Sequence, residues 1–313
     1  MNNLFSIGEL LKEKDNIEIL THHYPDGDTL GSAYALCLML QSLGKKARVI
    51  TSGAVARKYD FLKNGVEVQE FQRDYVVSVD VAAPSLLGEN QAEYENIIDL
   101  CIDHHGTNSI VAKDSYIDAK AAATGEIIYE LSKEMGIGLT RDMASCIYTG
   151  ISTDTGCFRY SNTTPCTLLI AAELMAVTPN WHEINTEMFE VKTKEKLQLE
   201  RMVYDTLEYS CEGKCALIYT TLKMQEEAGI GDDEMEGLAS IPRQIEGVLL
   251  GITMREKADG PFKISVRSNK DVSASDFCAR FGGGGHKAAA GCTIEGDLET
   301  VKKLLLDAAC EML

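Results

Sequence analysis

Histidine and aspartate side chains recur through the first half of the sequence in a pattern that can bind metal ions. Oxygen and imidazole ligands without thiolate suit Mn²⁺ or Mg²⁺ better than structural zinc. Two such ions about 3.5–4 Å apart can hold a hydroxide nucleophile and stabilise the attacking and leaving oxygens, so the pattern predicts metal-assisted hydrolysis. The side chains are His22, Asp26, Asp28, Asp80, Asp103, His104, His105 and Asp154.

The charges of such a site balance. Asp26, Asp28, Asp80 and Asp154 together carry four negative charges, which two divalent cations would neutralise. Without metal, carboxylates so close together would repel one another, and some would have to hold a proton. A single aspartate is as readily a turn or helix-cap residue, so the prediction rests on the whole set.

Asp26 and Asp28 flank a glycine shortly after a predicted strand. Gly27 permits a tight turn that a larger side chain would resist. Alternate residues of an extended segment point to opposite sides, so we expect the two carboxylates to serve different ions.

Short apolar runs that predict β-strands come directly before three of the clusters. They span Ile17–Thr21, Tyr75–Asp80 and Ile97–Asp103, and Ala47–Thr51 predicts a further strand. Near-continuous apolar runs are typical of parallel strands covered on both faces. Ligands collect at the carboxyl ends of such strands, so we expect the clusters to converge there.

Helical patterns alternate with these strands, at Leu30–Leu43 before a stop at Gly44, at Ala121–Met135 and at Asp142–Ser152. The alternation predicts an α/β fold with a mostly parallel sheet, in a metal-binding catalytic domain of residues 1–185.

A second, smaller α/β domain of residues 213–313 is predicted beyond a helical linker of residues 186–212. The pattern is helical from Thr164 to Tyr209, and its charged part predicts a connecting helix over Thr193–Tyr209. The elements expected afterwards are strands at Cys215–Thr220, Gly247–Arg255 and Phe262–Arg267, a hairpin turn at Ala258–Pro261, the glycine-rich segment Gly282–Gly285, a strand at Gly291–Ile294 and a helix from Leu298.

Length and composition narrow the class of protein. The 313 residues leave room for two domains. Long duplexes are bound mainly through Lys and Arg that neutralise phosphates, so a net charge of −18 argues against a protein of that class. No apolar run approaches about 20 residues and no basic, then apolar, leader opens the chain, so we expect neither a membrane partner nor a secretory signal. The ten cysteines then predict reduced thiols in the cytoplasm.

Taken in order, the motifs resemble those of the DHH phosphoesterases. The GGGGHKAAAG segment is similar to the signature of the DHH-associated domain, and the motifs together span nearly the whole chain. Within the family, the similarity is to the oligoribonuclease and pAp phosphatase type. The matching patterns are H-x-x-x-D-x-D from His22, the lone Asp80, D-H-H from Asp103, T-D-T-G-x-F-R-Y from Thr153 and GGGGHKAAAG from Gly282.

The resemblance implies how two divalent cations, Mn²⁺ or alternatively Mg²⁺, would be held. One ion would be bound by His22, Asp26 and Asp80. The other would be bound by Asp28, Asp80, His104 and Asp154, with Asp80 as the bridge.

The resemblance also implies roles for the two remaining motif residues. Asp103 would orient the neighbouring histidines, as carboxylates do for ligand histidines. His105 would face the scissile phosphate, as an electrostatic contact or as the acid that protonates the leaving oxygen. His23 occupies a variable position and receives no role; an exposed or capping histidine is the simpler interpretation.

Substrate-binding residues are expected in the second domain. Arg267 matches an arginine motif of the family and can grip a phosphate with two hydrogen bonds, although it could also be an exposed strand-end arginine. The glycine run could be an anion cradle or a flexible linker. Arg159 could contact phosphate or pair with a structural carboxylate. The expected binders are Arg159, Arg267, Gly283, Gly284, Gly285 and His286.

These features and the resemblance predict a phosphoesterase that degrades short single-stranded RNA from an end to mononucleotides, with conversion of 3′-phosphoadenosine 5′-phosphate (pAp) to AMP as a second expected activity. Metals on one domain and phosphate binders on the other imply a cleft for small nucleotides rather than for long duplexes. A homodimer is compatible with the sequence. Hydrolysis of linear or cyclic dinucleotides and a non-catalytic nucleotide-sensing module are the alternatives.

Overall fold

A five-stranded sheet forms the centre of the first of two compact units, Met1–Val191. The computed structural model describes residues 3–231, 235, 237–258 and 260–313. The strand order is β2-β1-β3-β4-β5 and every pair is parallel, which confirms the predicted parallel α/β sheet. The strands are β1 (Ile17–Leu20), β2 (Ala47–Ile50), β3 (Tyr75–Val79), β4 (Leu100–Asp103) and β5 (Asp114–Ile117).

Helices cover this sheet, and one of them is buried on all sides. Every residue from Gly27 to Leu40 in α2 is buried, and the helix packs closely against α5. A Cβ on Gly31 would lie 2.3 Å from the carbonyl oxygen of Cys146 in α5, so only glycine allows this approach. The helices are α1 (Leu4–Glu13), α2 (Gly27–Ser42), α3 (Gln91–Tyr94), α4 (Thr124–Glu134), α5 (Arg141–Asp154), α6 (Pro165–Val177) and α7 (Trp181–Phe189).

The second unit, Lys192–Leu313, contains a mixed six-stranded sheet. Its order is β10-β11-β9-β8-β7-β6, in which β7 and β8 are parallel and the other pairs are antiparallel. The elements are α8 (Lys194–Tyr204), β6 (Glu208–Ser210), β7 (Cys215–Thr220), α9 (Leu222–Ala228), β8 (Leu250–Glu256), β9 (Phe262–Ser268), α10 (Ala274–Ala279), β10 (Gly284–His286), β11 (Ala289–Ile294) and α11 (Leu298–Met312).

The predicted connecting helix over Thr193–Tyr209 is wrong at its end. Helix α8 stops at Tyr204, and Tyr209 lies in the edge strand β6, which pairs with β7. Pairing with a neighbouring strand outweighs local helical preference over three residues, and a sequence pattern does not reveal it. The functional bounds 1–185, 186–212 and 213–313 stay predictions.

The glycine-rich segment is not a flexible linker. Gly284 lies in the edge strand β10, where it pairs with Gly291 of β11. A Cβ on Gly283 would lie 2.2 Å from the carbonyl oxygen of Gly291, so close backbone contact explains the glycine there. The predicted hairpin is present as the antiparallel pair β8 and β9, while Asp259 of its turn lies outside the described residues.

The prediction that all cysteines are reduced is wrong for one pair. Cys211 and Cys310, 99 positions apart in sequence, form a disulfide with their Cα atoms 5.1 Å apart. Their proximity arises because α11 returns to the start of β7, which spacing alone does not reveal. Buried free thiols include Cys37, Cys101 and Cys146. Within the described ranges, no helix is both long and apolar enough to span a bilayer.

Candidate metal centre

Strand ends of the parallel sheet bring three of the sequence clusters together. His22 follows β1, Asp80 directly follows β3, and Asp103 is the last residue of β4. Two helices complete the set, because Asp28 lies in the first turn of α2 and Asp154 is the last residue of α5. The strand order reverses beside β1 and β3, where ligands of open α/β sheets gather.

The first donor group consists of His22, Asp26 and Asp80, with donor atoms within 4.8 Å of one another. His22 Nε2 lies 3.6 Å from Asp26 Oδ1 and 3.9 Å from Asp80 Oδ2. Oxygen donors of Mg²⁺ lie about 2.1 Å from the ion, so two donors of one ion are separated by at most about 4.2 Å. Both distances therefore fit ligands of a common ion.

The second donor group consists of Asp28, His104 and Asp154, again within 4.8 Å. His104 Nε2 lies 3.9 Å from Asp28 Oδ2 and 3.8 Å from Asp154 Oδ2. It also lies 3.7 Å from Asp80 Oδ1. Asp80 therefore presents Oδ2 to the first group and Oδ1 to the second, which is the geometry that a bridging carboxylate needs.

Asp26 and Asp28 lie on a helix start, and not on the extended segment that we predicted. Asp26 is the N-cap of α2, and its Oδ1 accepts the backbone N–H groups of Asp28 and Thr29 at 3.0 and 3.1 Å. A Cβ on Gly27 would lie 2.3 Å from Thr153 Oγ1 of α5, so the glycine serves close helix packing. The two carboxylates still join different donor groups, because the helical turn rotates them apart.

The start of α4 fixes the second donor group, a feature that the sequence analysis missed. Asp28 accepts the N–H groups of Thr124 (2.7 Å) and Gly125 (2.9 Å), and Thr124 Oγ1 donates to Asp80 Oδ1 at 2.8 Å. The first N–H groups of a helix have no partner within the helix, so they are ready donors for a carboxylate. The predicted helix began at Ala121, whereas α4 begins at Thr124, so Thr124 and Gly125 were not marked as a helix start.

His104 is oriented by the same segment. Its Nδ1 lies 3.2 Å from the carbonyl oxygen of Ala121. A ligand histidine commonly donates its second ring N–H in this way, which fixes the tautomer and turns the other nitrogen toward the metal. Here that nitrogen is Nε2, which lies 3.7 to 3.9 Å from carboxylate oxygens of Asp28, Asp80 and Asp154.

Asp103 is fully buried and lies behind both histidines. Its Oδ1 accepts from His105 Nδ1 and from the backbone N–H of His104, both at 2.8 Å, while Asn108 donates to Oδ2. Burial raises the pKa of Asp103, but the hydrogen bond and charge of His105 more than offset it, and the pKa falls below its usual value. His105 Nδ1 also lies 3.6 Å from Asp80 Oδ1.

The electrostatics of the cluster call for cations. Burial and the neighbouring carboxylates, Asp28 and Asp26 first, raise the pKa of Asp80 and of Asp154 well above the ordinary value. Burial opposes ionisation of Asp26 as well, but His22 outweighs it and lowers that pKa to about 2. Oxygen and imidazole donors around such concentrated negative charge fit divalent cations.

His23, which had no assigned role, fixes the loop that carries His22 and Asp26. Its Nδ1 lies 3.1 Å from Ser52 Oγ, and its backbone N–H donates to the carbonyl of Leu86 at 2.6 Å. A Cβ on Gly88 would lie 2.5 Å from its ring, so the imidazole is wedged between two loops.

Two of the expected substrate binders lie in one row of the second sheet. Arg267 of β9 pairs with Ala289 of β11, which pairs with His286 of β10. Paired residues share a face of the sheet, so Arg267 and His286 flank Ala289 on one side. Gly284 and Gly285 are exposed next to His286, and Gly283 precedes the strand.

Arg159 lies in the loop after α5. Its Nε donates to the carbonyl of Gly156 at 2.5 Å, and its guanidinium lies 5.7 Å from the ring centre of Phe189. Both contacts belong to the first unit and hold the loop in place.

Family models match both units. The models for the DHH family, N-terminal domain, and for the DHHA1 domain match residues 16–151 and 215–313. A Thermus thermophilus protein named bifunctional oligoribonuclease and PAP phosphatase NrnA is 32% identical and covers 98% of this chain and 93% of its own.

Solved structures share the fold. An exopolyphosphatase-related protein from Bacteroides fragilis matches with a TM-score of 0.88 at 25% identity, over 97% of this chain and 95% of its own. RecJ from Thermus thermophilus, solved in complex with Mn²⁺, matches with a TM-score of 0.58 at 17% identity, over 99% of this chain and 55% of its own.

The fold and the comparisons define a metal-dependent phosphoesterase. The chain belongs to the DHH family and carries its DHHA1 domain.

Proposed function

We propose that this protein hydrolyses short oligoribonucleotides from an end to mononucleotides and converts pAp to AMP. The observation that carries the proposal is the pair of donor groups that share Asp80, in a chain similar over nearly its whole length to a named oligoribonuclease and PAP phosphatase. A cytoplasmic enzyme acting on RNA fragments and small nucleotides fits these features.

His22, Asp26 and Asp80 would hold one divalent cation, and Asp28, Asp80, His104 and Asp154 the other. Activation of water and neutralisation of phosphoryl charge are the chemistry that two such ions, Mn²⁺ in this proposal, supply when bound. The supporting observation is the set of distances between donor atoms, 3.6 to 3.9 Å.

His105 would transfer the proton, and Asp103 would orient the histidine. The buried Asp103 carboxylate binds His105 Nδ1, which keeps the imidazole in one orientation. His105 Nε2 would then give a proton to the oxygen that leaves phosphorus, as a general acid. A lowered pKa keeps Asp103 ionised for this task.

The second unit would hold the substrate by its phosphates. Arg267 and His286, in one row of the sheet, offer a cation and an imidazole on either side of Ala289. Gly283, Gly284 and Gly285 would let the backbone approach an anion closely. Arg159 is assigned the same task in the first unit.

The charge of the chain favours short substrates. With a net charge of −18, the surface offers little compensation for a long phosphate backbone, so binding would rest on a few terminal contacts. Efficiency should be highest for about two to five nucleotides, since a few local cations can hold only a short anion.

The test is Mn²⁺-dependent turnover of a labelled dinucleotide, a length series up to structured RNA, and pAp, at one salt concentration. We expect kcat/KM to fall with length and pAp to yield AMP. Equal or rising efficiency on the long RNAs would reject the short-substrate proposal. Turnover of dinucleotides alone would favour the alternative of a dinucleotide hydrolase. No turnover of any substrate at full metal occupancy would favour a non-catalytic module that senses nucleotides.

A further inference from the structure

The loop after α5 returns sharply to the end of its own helix. Three consecutive residues, Gly156, Cys157 and Phe158, have left-handed φ angles of 57°, 58° and 61°. Side chains rarely adopt this conformation, so two non-glycine residues in a row show a turn that the surroundings enforce. The turn brings Asn162 back over Asp154.

Asn162 contacts both the backbone and the carboxylate of Asp154. Its Nδ2 lies 3.2 Å from the Asp154 carbonyl oxygen and 3.3 Å from Asp154 Oδ2. The last carbonyls of a helix have no partner within the helix, and the helix dipole disfavours a carboxylate at that end. A side-chain donor at this point therefore provides a partner for a free carbonyl of α5. It also offsets the unfavourable interaction of the Asp154 carboxylate with the helix dipole.

The same amide nitrogen reaches the segment that orients His104. Asn162 Nδ2 lies 2.9 Å from the carbonyl oxygen of Ala122, and Glu126 Oε2 accepts the Ala122 N–H at 3.1 Å. The adjacent Ala121 carbonyl is the partner of His104 Nδ1. Asn162 thus contacts Asp154 itself and the backbone segment that orients His104. Both residues belong to the second donor group.

The Oδ1 atom of Asn162 is buried and has no hydrogen-bond partner among the described residues. A buried oxygen without a hydrogen-bond donor costs free energy. The side chain is therefore oriented by the contacts of Nδ2, while Oδ1 is left without a partner among the described residues.

We propose that Asn162 is a positioning residue that sets Asp154 and His104 at the spacing the second ion requires. The inference rests on the proposed metal site and adds a residue to it that the motif did not mark. Asn162 acts through Asp154 and the Ala121–Ala122 backbone.

The experiment measures Mn²⁺ binding by calorimetry in the full chain, together with melting in excess chelator. The variants are Asn162→Ala and Asn162→Leu, which has a similar size but no donor and no charge. We expect the wild type to bind two ions, and both variants to bind one of them about 10- to 100-fold more weakly, as is typical when a residue supporting a ligand is removed. The melting temperature of the Asn162→Ala variant in chelator should fall only modestly, because the variant loses the hydrogen bonds to the Asp154 and Ala122 carbonyls.

Asn185→Ala is the matched control. Asn185 also packs on α5, where it donates to Tyr148 Oη (2.9 Å) and accepts from Ser152 Oγ (2.6 Å). We expect it to lower the melting temperature and to leave both Mn²⁺ affinities unchanged.

The outcomes are distinguishable. Wild-type binding of two ions with unchanged affinity in both Asn162 variants would overturn the positioning role alone. A lowered melting temperature in chelator with normal Mn²⁺ affinity would show that Asn162 is only structural. A wild type that binds fewer than two ions would overturn the proposed metal site as well.

Discussion

Asp80 combines features that oppose stability. It is 3% exposed, its φ angle is +59°, and four other aspartates raise its pKa beyond the effect of burial. A left-handed non-glycine residue costs about 1–3 kcal/mol, so the surrounding structure must enforce the conformation. The site is therefore built for binding charge rather than for the stability of the metal-free protein.

We predict that Asp80→Asn abolishes turnover and stabilises the protein in chelator. The amide cannot bridge two ions, but it removes a buried carboxylate that others repel. A relief of about 1 kcal/mol would raise the melting temperature by about 2–4 °C in a unit of this size. Activity assays at saturating Mn²⁺ and melting curves in chelator measure both effects. Normal kcat would contradict the bridging role.

The stability of the metal-free protein should depend on pH in a defined direction. Because the pKa of Asp80 and Asp154 is raised in the folded state, the folded protein without metal holds protons that the unfolded chain has released. Stability in chelator should therefore fall as the pH rises from the ordinary aspartate value, 3.8, toward the raised values. Melting across this window should show a smaller decline in Asp80→Asn than in the wild type. Parallel curves would argue against the repulsion.

At the level of elements, apolar runs were sufficient to predict four strands of the parallel sheet, and β5 was missed. β5 has the polar sequence Asp-Ser-Tyr-Ile and lies at the sheet edge, where one side pairs and no continuous apolar run is needed. Strand β6 was missed because its three residues are too few to show an alternating apolar pattern.

The predicted donor residues do converge, because strand ends bring distant segments to one edge. Their supports were not predictable in the same way. Thr124 and Asn162 form hydrogen bonds with residues 40 or more positions away, as in the contacts Thr124–Asp80, 44 positions apart, and Asn162–Ala122, 40 positions apart. No local spacing encodes such contacts.

We predict that Gly31→Ala destabilises the protein and weakens metal binding together. The added Cβ would lie 2.3 Å from the Cys146 carbonyl oxygen, so α2 and α5 must separate, and they carry Asp28 and Asp154. Overpacking of this kind costs about 1–3 kcal/mol. Denaturation and Mn²⁺ titration measure both effects.

Gly138→Ala is the control for this prediction. A Cβ at Gly138 would meet nothing within 4 Å, and its φ angle is not in the left-handed region. Stability and Mn²⁺ binding should stay unchanged there. Loss of stability in Gly31→Ala with intact Mn²⁺ affinity would separate helix packing from the metal site.

At the level of the whole molecule, divalent metal should act as a folding ligand. A ligand that binds only the folded state stabilises it by about 2.7 kcal/mol at 100 times its dissociation constant. We predict a higher melting temperature in Mn²⁺ than in chelator, and no such rise in the first unit when Asp80→Asn is tested. Identical wild-type curves in both conditions would count against the donor groups.

The two units should divide their tasks. We predict that Arg267→Ala and His286→Ala raise KM for a dinucleotide while bound metal stays at the wild-type level, since both residues lie in the second unit. Arg280→Ala is the control, because Arg280 bonds to Ala308 and Glu311 at a helix end. Metal analysis and steady-state kinetics measure the two effects. Loss of bound metal in either test variant would refute the assignment of metal binding and substrate binding to different units.

The burial of α2 has a consequence for engineering. Every side chain from Gly27 to Leu40 is enclosed, so a substitution there disturbs the core and Asp28 at once. The β10 strand, Gly284–His286, is exposed along its whole length. Libraries meant to retarget the protein to other phosphoesters should therefore vary Gly284 and His286, should keep Gly285, where a Cβ would lie 2.7 Å from the Ala289 carbonyl oxygen, and should leave α2 as an invariant scaffold.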